Sequence, residues 1–359
     1  MTKIIYGYSG EGSGHSTRAR EMARCLIDAR HDVRLVSYDR GFENLSSEFN
    51  VFEIEGLIIS SEDNRVSVLK TIGENLLRLP AGNRAIWQLR DVFREFIPDV
   101  VITDFEPMTA YLAEHFDVPL ITIDNQHRMR YVEYQVPPGQ DREAKLIRRL
   151  IRAMVPWPSV SLITAIARGK LTNDRSFLYP PLVSQDVRDL KYSDDGHTLV
   201  YLTSGFDSLL PILKTYSREQ FVVYGYDRKQ QDANLAFKRA SRAGFIDDLA
   251  RCTAVIATAG FTLISEALYL GKPYLAMPML GQFEQELNAY QLAGCGYGAG
   301  MNQLNPTAVG DFLYRLPEYR ECLADYDRDP ALAIKSKLLE LVDNNGAVAA
   351  DYKKRRAQE

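Results

Sequence analysis

Ile4-Ile5-Tyr6-Gly7-Tyr8-Ser9-Gly10-Glu11-Gly12-Ser13-Gly14-His15 begins as an apolar run and breaks into a glycine-rich turn. Beyond it, Ala19, Met22, Ala23 and Leu26 recur at the spacing of one helix face. A strand, a tight turn and a helix that can lie back on the strand make the first half of a βαβ unit. The pattern continues outward: residues 33–37, 99–103 and 119–123 are further strand-like runs, with helical patterns from Thr17, Ala81 and Ala110. It then starts again, with strand-like runs at 198–203, 220–224, 253–258 and 273–278 and helices expected near Ser208, Asp232, Leu263 and Leu287. Two doubly wound, Rossmann-like α/β domains in tandem follow.

Between the two series stands Leu178-Tyr179-Pro180-Pro181-Leu182. Each proline ring fixes its own φ and biases its predecessor towards extended geometry, so the domain boundary is expected there. The expected division is 1–178, a linker at 179–190, a second domain at 191–335, and a C-terminal helix and tail at 336–359 packing back on the first domain. Ligands of open α/β sheets bind outside the carboxyl ends of the strands. Chemistry is therefore expected in a cleft between the two domains.

Bulk properties narrow the function. With 359 residues, 46% hydrophobic and 25% charged, the chain can bury two cores. A formal net charge of −4 lacks the broad basic field that nucleic-acid binding needs. Met1-Thr2-Lys3 passes straight into the first strand without the layout of a signal peptide, and no run approaches the roughly 18 apolar residues of a membrane span. Cys25, Cys252, Cys295 and Cys322 form no CxxC pair, which argues against zinc and disulfides alike. The expectation is a cytoplasmic protein with no bound metal.

Three loops carry candidate chemistry. In the first, Gly12 and Gly14 let backbone approach a ligand, and the helix start that follows favours anionic oxygens. A dinucleotide fingerprint wants GxGxxG and an acid about 20 residues on; here the spacing is GxGxG and Asp39 comes late. A tight turn without ligand is the plainer alternative. His15 suits proton abstraction from a hydroxyl near neutral pH, or serves as a capping or packing residue. In the second loop, Asp104 leaves the strand of Val100-Val101-Ile102-Thr103 at the same sheet edge as His15, where it can orient an imidazole or cap a helix.

The third region is the most specific. Ala259-Gly260-Phe261-Thr262 lies between a strand and a helix, where backbone donors and the helix dipole can hold a diphosphate. Glu266, expected in about the first turn of that helix, can accept from both hydroxyls of a ribose. Phe245 and Ile246 offer an apolar wall and backbone groups for a base, while Glu284 and Gln285 suit sugar hydroxyls. Ser204 and Gly205, in the turn after the first strand of this domain, could approach the same diphosphate.

These stretches resemble the GT-B nucleotide-sugar glycosyltransferases, most closely the bacterial enzyme that adds N-acetylglucosamine to the peptidoglycan lipid intermediate. Phe245-Ile246-Asp247-Asp248-Leu249-Ala250, the loop from Ala259 to Leu268 and Phe283-Glu284-Gln285-Glu286-Leu287-Asn288-Ala289 are similar to its donor-site motifs, and the turn ending in His15 to its N-terminal loop. The resemblance implies inverting, metal-independent transfer from a UDP-sugar, which is a substrate rather than a cofactor. It places uracil at Ile246, ribose at Glu266, diphosphate at Gly260 to Thr262, the sugar at Gln285, and the base or an acceptor contact at His15. Glu11 and the Glu284-Gln285 pair depart from the pattern, leaving the acceptor and the donor sugar open.

The amphipathic basic segment 145–157 reads as a solvated face or a contact with an anionic membrane surface, and Lys353-Lys354-Arg355-Arg356 reads as a disordered end. Two other functional readings stand beside transfer to a sugar, lipid or small-molecule acceptor. One is a non-catalytic nucleotide-sugar-binding subunit; the other is a GT-B-fold UDP-sugar epimerase.

Overall fold

The computed structural model describes residues 1–11, 13–56, 61–62, 65–66, 79–202, 206–301, 305–328 and 331–358. Gly12, Ser204 and Gly205 therefore lie outside the described residues. The chain divides into two compact units, Met1–Leu182 with Asp329–Glu359, and Val183–Arg328.

In the first unit the strands are β1 (Lys3–Tyr8), β2 (Asp32–Ser37), β3 (Val51–Glu53), the short antiparallel pair β4 (Ser61–Glu62) and β5 (Arg65–Val66), then β6 (Val100–Asp104), β7 (Leu120–Asp124), β8 (Val160–Thr164) and β9 (Ser176–Tyr179). Seven of them form one sheet in the order β3-β2-β1-β6-β7-β8-β9, with every pairing parallel. β6, β7 and β8 are buried at every residue, as inner parallel strands covered on both faces must be. One face packs Ile4, Tyr6, Val100, Ile102, Ile121 and Ile123 against Ala19, Met22, Ala23 and Leu26 of the Ser13–Asp28 helix. The other sets Ile5, Val101 and Leu120 against Leu89, Phe93 and Phe96 of the Leu79–Phe96 helix and Ala110 and Ala113 of the Pro107–His115 helix.

The second unit repeats the plan with β10 (His197–Tyr201), β11 (Gln220–Tyr224), β12 (Gln230–Asp232), β13 (Leu235–Phe237), β14 (Ala254–Thr258), β15 (Tyr274–Met277) and β16 (Gly298–Gly300). Their order is β12-β13-β11-β10-β14-β15-β16, parallel except for the β12–β13 hairpin. That hairpin stands where a helix near Asp232 is expected from the sequence. Leu235 and Phe237 alternate into the core, and the Asn234 side chain donates to the carbonyls of Leu213, Tyr216 and Glu219, fixing the turn where Ala233 takes φ 54°. Local helix propensity gives way to these tertiary contacts.

The Ala331–Arg356 segment returns to the first unit and lays Ile334, Leu338, Leu341, Val342, Ala349 and Tyr352 on the β1 face of its core. The sequence division at 335 thus falls inside this segment, whose Ile334 is already core of the first unit. Its basic end is ordered helix rather than a loose tail, because Lys353 donates to Asp117, and Arg356 donates to Glu114 and to the Trp157 carbonyl. The helix is interrupted at residues 343–346, where Asn344, Asn345 and Gly346 take φ of 52°, 56° and 71°. A Cβ on Gly346 would stand 2.2 Å from Val100 Cγ2, so this break is seated directly on β6. Among the described residues no helix is long and apolar enough to cross a membrane.

Gly346→Ala is expected to destabilise the protein by about 3 kcal/mol, combining left-handed backbone strain with overpacking. Gly139→Ala serves as control. There φ is 82° but nothing lies within 4 Å of the added methyl, and the backbone share alone amounts to about 1 kcal/mol. Chemical denaturation of the two variants measures the difference; equal losses would show that Val100 yields freely.

Candidate functional site

In the first unit the connections from β1 and β6 leave on opposite faces of the sheet, the Ser13–Asp28 helix on one and the Pro107–His115 helix on the other. The two strands are neighbours, with Tyr8 level with Asp104. Their carboxyl ends therefore bound the opening at which doubly wound sheets bind ligands. Gly14 and His15 lie in the first turn of the helix rather than in the loop before it. His15 Nδ1 is 2.7 Å from Asp104 Oδ1. Asp104 has no exposed surface, while 14% of the His15 side chain is open.

The two carboxylates after β6 take different jobs because Phe105, at φ 57°, turns the chain between them. Glu106 caps the Pro107–His115 helix, accepting from the Met108 and Thr109 amides at 2.8 and 2.7 Å and from the Thr109 hydroxyl at 2.6 Å. Burial pushes its carboxyl above the ordinary range, and the Thr109 and Met108 donors offset part of that rise. Asp104 instead meets Arg18, which the sequence reading did not single out. Arg18 Nε donates to Oδ2 and Nη2 to Oδ1, both at 2.7 Å, and only 7% of the arginine side chain is exposed. Burial works against the guanidinium charge, yet Asp104 outweighs it and raises the Arg18 pKa. The signal for Arg18 was its place three residues after His15, on the same helix face.

A second histidine–carboxylate pair ends β7, also absent from the sequence reading. Asp124 accepts from the His127 amide at 2.8 Å and lies 2.7 Å from its Nδ1, both side chains being fully buried. Burial alone would raise the Asp124 carboxyl; the charges of His127 and Arg18 and the bonds from His127 overcome it and hold it below the usual range. His127 also stacks on Tyr131.

In the second unit the Phe261–Tyr269 helix starts at the carboxyl end of β14, beside β10, again where the strand order reverses. Gly260 is its N-cap and supplies no side-chain acceptor. A Cβ at Gly260 would meet nothing within 4 Å, so space lies open over the first turn. Ala259, buried behind the cap, has its carbonyl held by Asn288 Nδ2 at 2.8 Å. Phe261 and Thr262 form the half-buried first turn itself.

Glu266 sits in the second turn rather than the first and is 3% exposed. Its Oε1 accepts from Arg242 Nη2 at 2.9 Å, and Arg242 also reaches Asp186 at 3.3 Å. Burial raises the Glu266 carboxyl, and Arg242 counteracts it. Phe245 and Ile246 lie inside the Arg242–Arg251 helix. The Phe245 amide is engaged there by the Ser241 carbonyl, and its ring packs edge-on against Tyr201 and Tyr224. The ring thus forms a wall, while its amide is taken up within the helix. Gln285 bridges its own loop, Oε1 accepting from the Met279 amide at 3.1 Å and Nε2 donating to Gln282 Oε1 at 2.7 Å; Glu284 beside it is half-buried.

A family model described as glycosyl transferase family 1 matches residues 2–317. The chain belongs to this family. An uncharacterized glycosyltransferase of Methanosarcina acetivorans is 26% identical, covering 96% of this chain and 94% of its own, and one of Methanosarcina mazei is 24% identical over 86% and 87%. Among solved structures, the glycotransferase of kitacinnamycin superposes with TM-score 0.68 at 16% identity, covering 99% of each chain. VinC, solved in complex with dTDP, gives 0.65 at 13% identity over 98% and 99%. The fold of this family 1 glycosyltransferase is thus GT-B, two Rossmann-like units in one chain.

Asp104→Asn leaves Arg18 buried without its carboxylate and is expected to lower the stability of the glycosyltransferase by about 3 kcal/mol. The midpoint of urea unfolding reads this. A loss below about 0.5 kcal/mol would mean that Arg18 finds another partner.

Proposed function

We propose that this glycosyltransferase moves a hexosyl or N-acetylhexosaminyl group from a UDP-sugar to an acceptor hydroxyl, with inversion and without metal. The carrying observation is the His15–Asp104 contact at the β1/β6 edge. With Nδ1–H held on Asp104, the lone pair of Nε2 is left to take the acceptor proton. The acceptor oxygen attacks the anomeric carbon as the bond to the diphosphate breaks, and UDP leaves with the electron pair. The helix start at Gly260 to Thr262, whose N-cap brings no side-chain acceptor and over which space lies open, is suited to that departing charge.

Glu266 then accepts from the ribose hydroxyls, with Arg242 turning aside or sharing the carboxylate. Ile246 and Phe245 line the base, and Glu284 and Gln285 meet the sugar. The motif likeness to the peptidoglycan transferase supports an N-acetylhexosamine as first donor sugar. VinC's dTDP makes thymidine nucleotides the rival donors. Solved neighbours described as spinosyn and calicheamicin glycosyltransferases favour a small-molecule or glycolipid acceptor. Glu11, close to where an anionic acceptor would sit, disfavours a lipid diphosphate.

A panel of UDP- and dTDP-sugars, with products identified by mass spectrometry, tests the reading. UDP release is expected, with transfer reduced about 10²- to 10⁴-fold in His15→Ala and donor affinity about ten- to hundredfold in Glu266→Ala. Full activity of His15→Ala removes it from the base role, and absence of any nucleotide-sugar binding at millimolar concentration sinks the proposal. A clean epimer without transfer would point to epimerase chemistry, and binding with no turnover to a non-catalytic subunit.

The Asp141–Met154 helix exposes Arg142, Lys145, Arg149 and Arg152 together with Leu146, and Trp157 follows, also exposed. This face is proposed to touch the anionic inner surface of a membrane. The protein should sediment with phosphatidylglycerol vesicles at low salt and not with phosphatidylcholine vesicles. Equal behaviour with both would leave the face merely solvated.

A further inference from the structure

We propose that Arg18 is a positioning residue that divides the charge of Asp104 with His15, fixing the imidazole with Nε2 outward and setting how readily it takes a proton. The inference rests on the reading of His15 as the base. Its geometry is local and complete. Asp104 Oδ1 is shared by two donors, Arg18 Nη2 and His15 Nδ1, each at 2.7 Å, while Oδ2 is taken by Arg18 Nε, also at 2.7 Å. The Nε of Arg18 further approaches the Ile123 carbonyl at 3.2 Å, anchoring the guanidinium to β7.

Arg18 Nη2 stands 3.3 Å from His15 Nδ1. A guanidinium only donates, so it competes with the ring for Oδ1 and cannot accept from it. Were Nδ1 to carry the lone pair, that pair would face the carboxylate oxygen at 2.7 Å, a repulsive contact. The neutral ring therefore keeps its proton on Nδ1 and presents Nε2 as acceptor.

Charge division follows from the same positions. A fully buried carboxylate beside a histidine strongly favours the imidazolium. An undivided Asp104 would thus hold the imidazolium more tightly and weaken the ring as a base. The guanidinium opposes this, both as a positive charge next to the ring and as the fork that engages the carboxylate from its other edge. Among the described residues, Tyr6 from β1 and Asp124 from β7 also face Arg18, with Tyr8 beside Tyr6. Asp124 faces Arg18 and reinforces its hold. A purely structural clip between helix and sheet would need the Arg18–Asp104 fork but would have no bearing on the imidazole.

Histidine Cε1 resonances of the full chain separate the two roles, and no substrate is required. The protein has five histidines, so His15 is assignable from the spectrum of His15→Gln. In Arg18→Gln the His15 titration midpoint is expected to rise by about one pH unit, while that of His115 stays in place. In Arg18→Lys, which restores the charge but reaches the carboxylate from a single point, the rise should be smaller. Should the glutamine variant fail to fold, the lysine variant carries the test, with any rise supporting the proposal. An unchanged or lowered midpoint in a folded variant overturns it. Activity of His15→Ala is a separate outcome: a moved midpoint together with an active His15→Ala enzyme keeps the charge division and discards the base.

Discussion

A carboxylate with no exposed surface, placed at the end of an inner parallel strand, must be answered by donors or be displaced from the fold. Asp104 is answered by Arg18 and His15, both carried by the helix that follows β1. That one interaction sets how the helix lies on the sheet. Ala19, Met22, Ala23 and Leu26 supply the apolar contact, which is tolerant of rotation; the fork on Asp104 is not, and it fixes the helix in both rotation and axial position. The imidazole is thereby carried to the β1/β6 edge as part of the same clamp.

The second unit buries a carboxylate in the same manner, with a different outcome. Glu266 is also met by an arginine from a neighbouring helix, but Arg242 is half-exposed and shares itself with Asp186, whereas Arg18 is sealed. A sealed guanidinium behaves as scaffold. An exposed one can be exchanged for ligand hydroxyls, as the ribose contact proposed for Glu266 requires. The N-cap at Gly260 adds no side-chain acceptor of its own, and open space lies over it.

Much of this was legible in the sequence because it is written in local periodicity. Continuous apolar runs became inner parallel strands, and the helix face of Ala19, Met22, Ala23 and Leu26 became core. The pairing of His15 with Asp104 was accessible because both residues follow strands at one sheet edge. Short strands such as β3, β9, β13 and β16 escaped because three or four residues carry no periodicity. The β12–β13 hairpin escaped because Asn234 is fixed by carbonyls more than a dozen residues away. Arg18 and the Asp124–His127 pair escaped for a chemical reason: polar residues inside a helix or at a strand end look solvated until their burial is known. The capping role of Glu106 escaped as well, since it depends on the turn at Phe105.

The segment from Ala331 onward closes the first unit across nearly the whole chain, Thr2 Oγ1 donating to the Val342 carbonyl at 2.7 Å. The second unit is consequently an insertion within the first in terms of connectivity, while keeping all its own strands contiguous. Order of synthesis then acquires a structural meaning. The second unit has its full sheet as soon as residue 328 has left the ribosome, but the part of the first unit's core over β6, β7 and β8 remains uncovered until the returning helix emerges. The amino-terminal unit, although made first, is the later of the two to reach its final packing, and chaperone binding during synthesis would concentrate on the bare apolar surface of β6, β7 and β8.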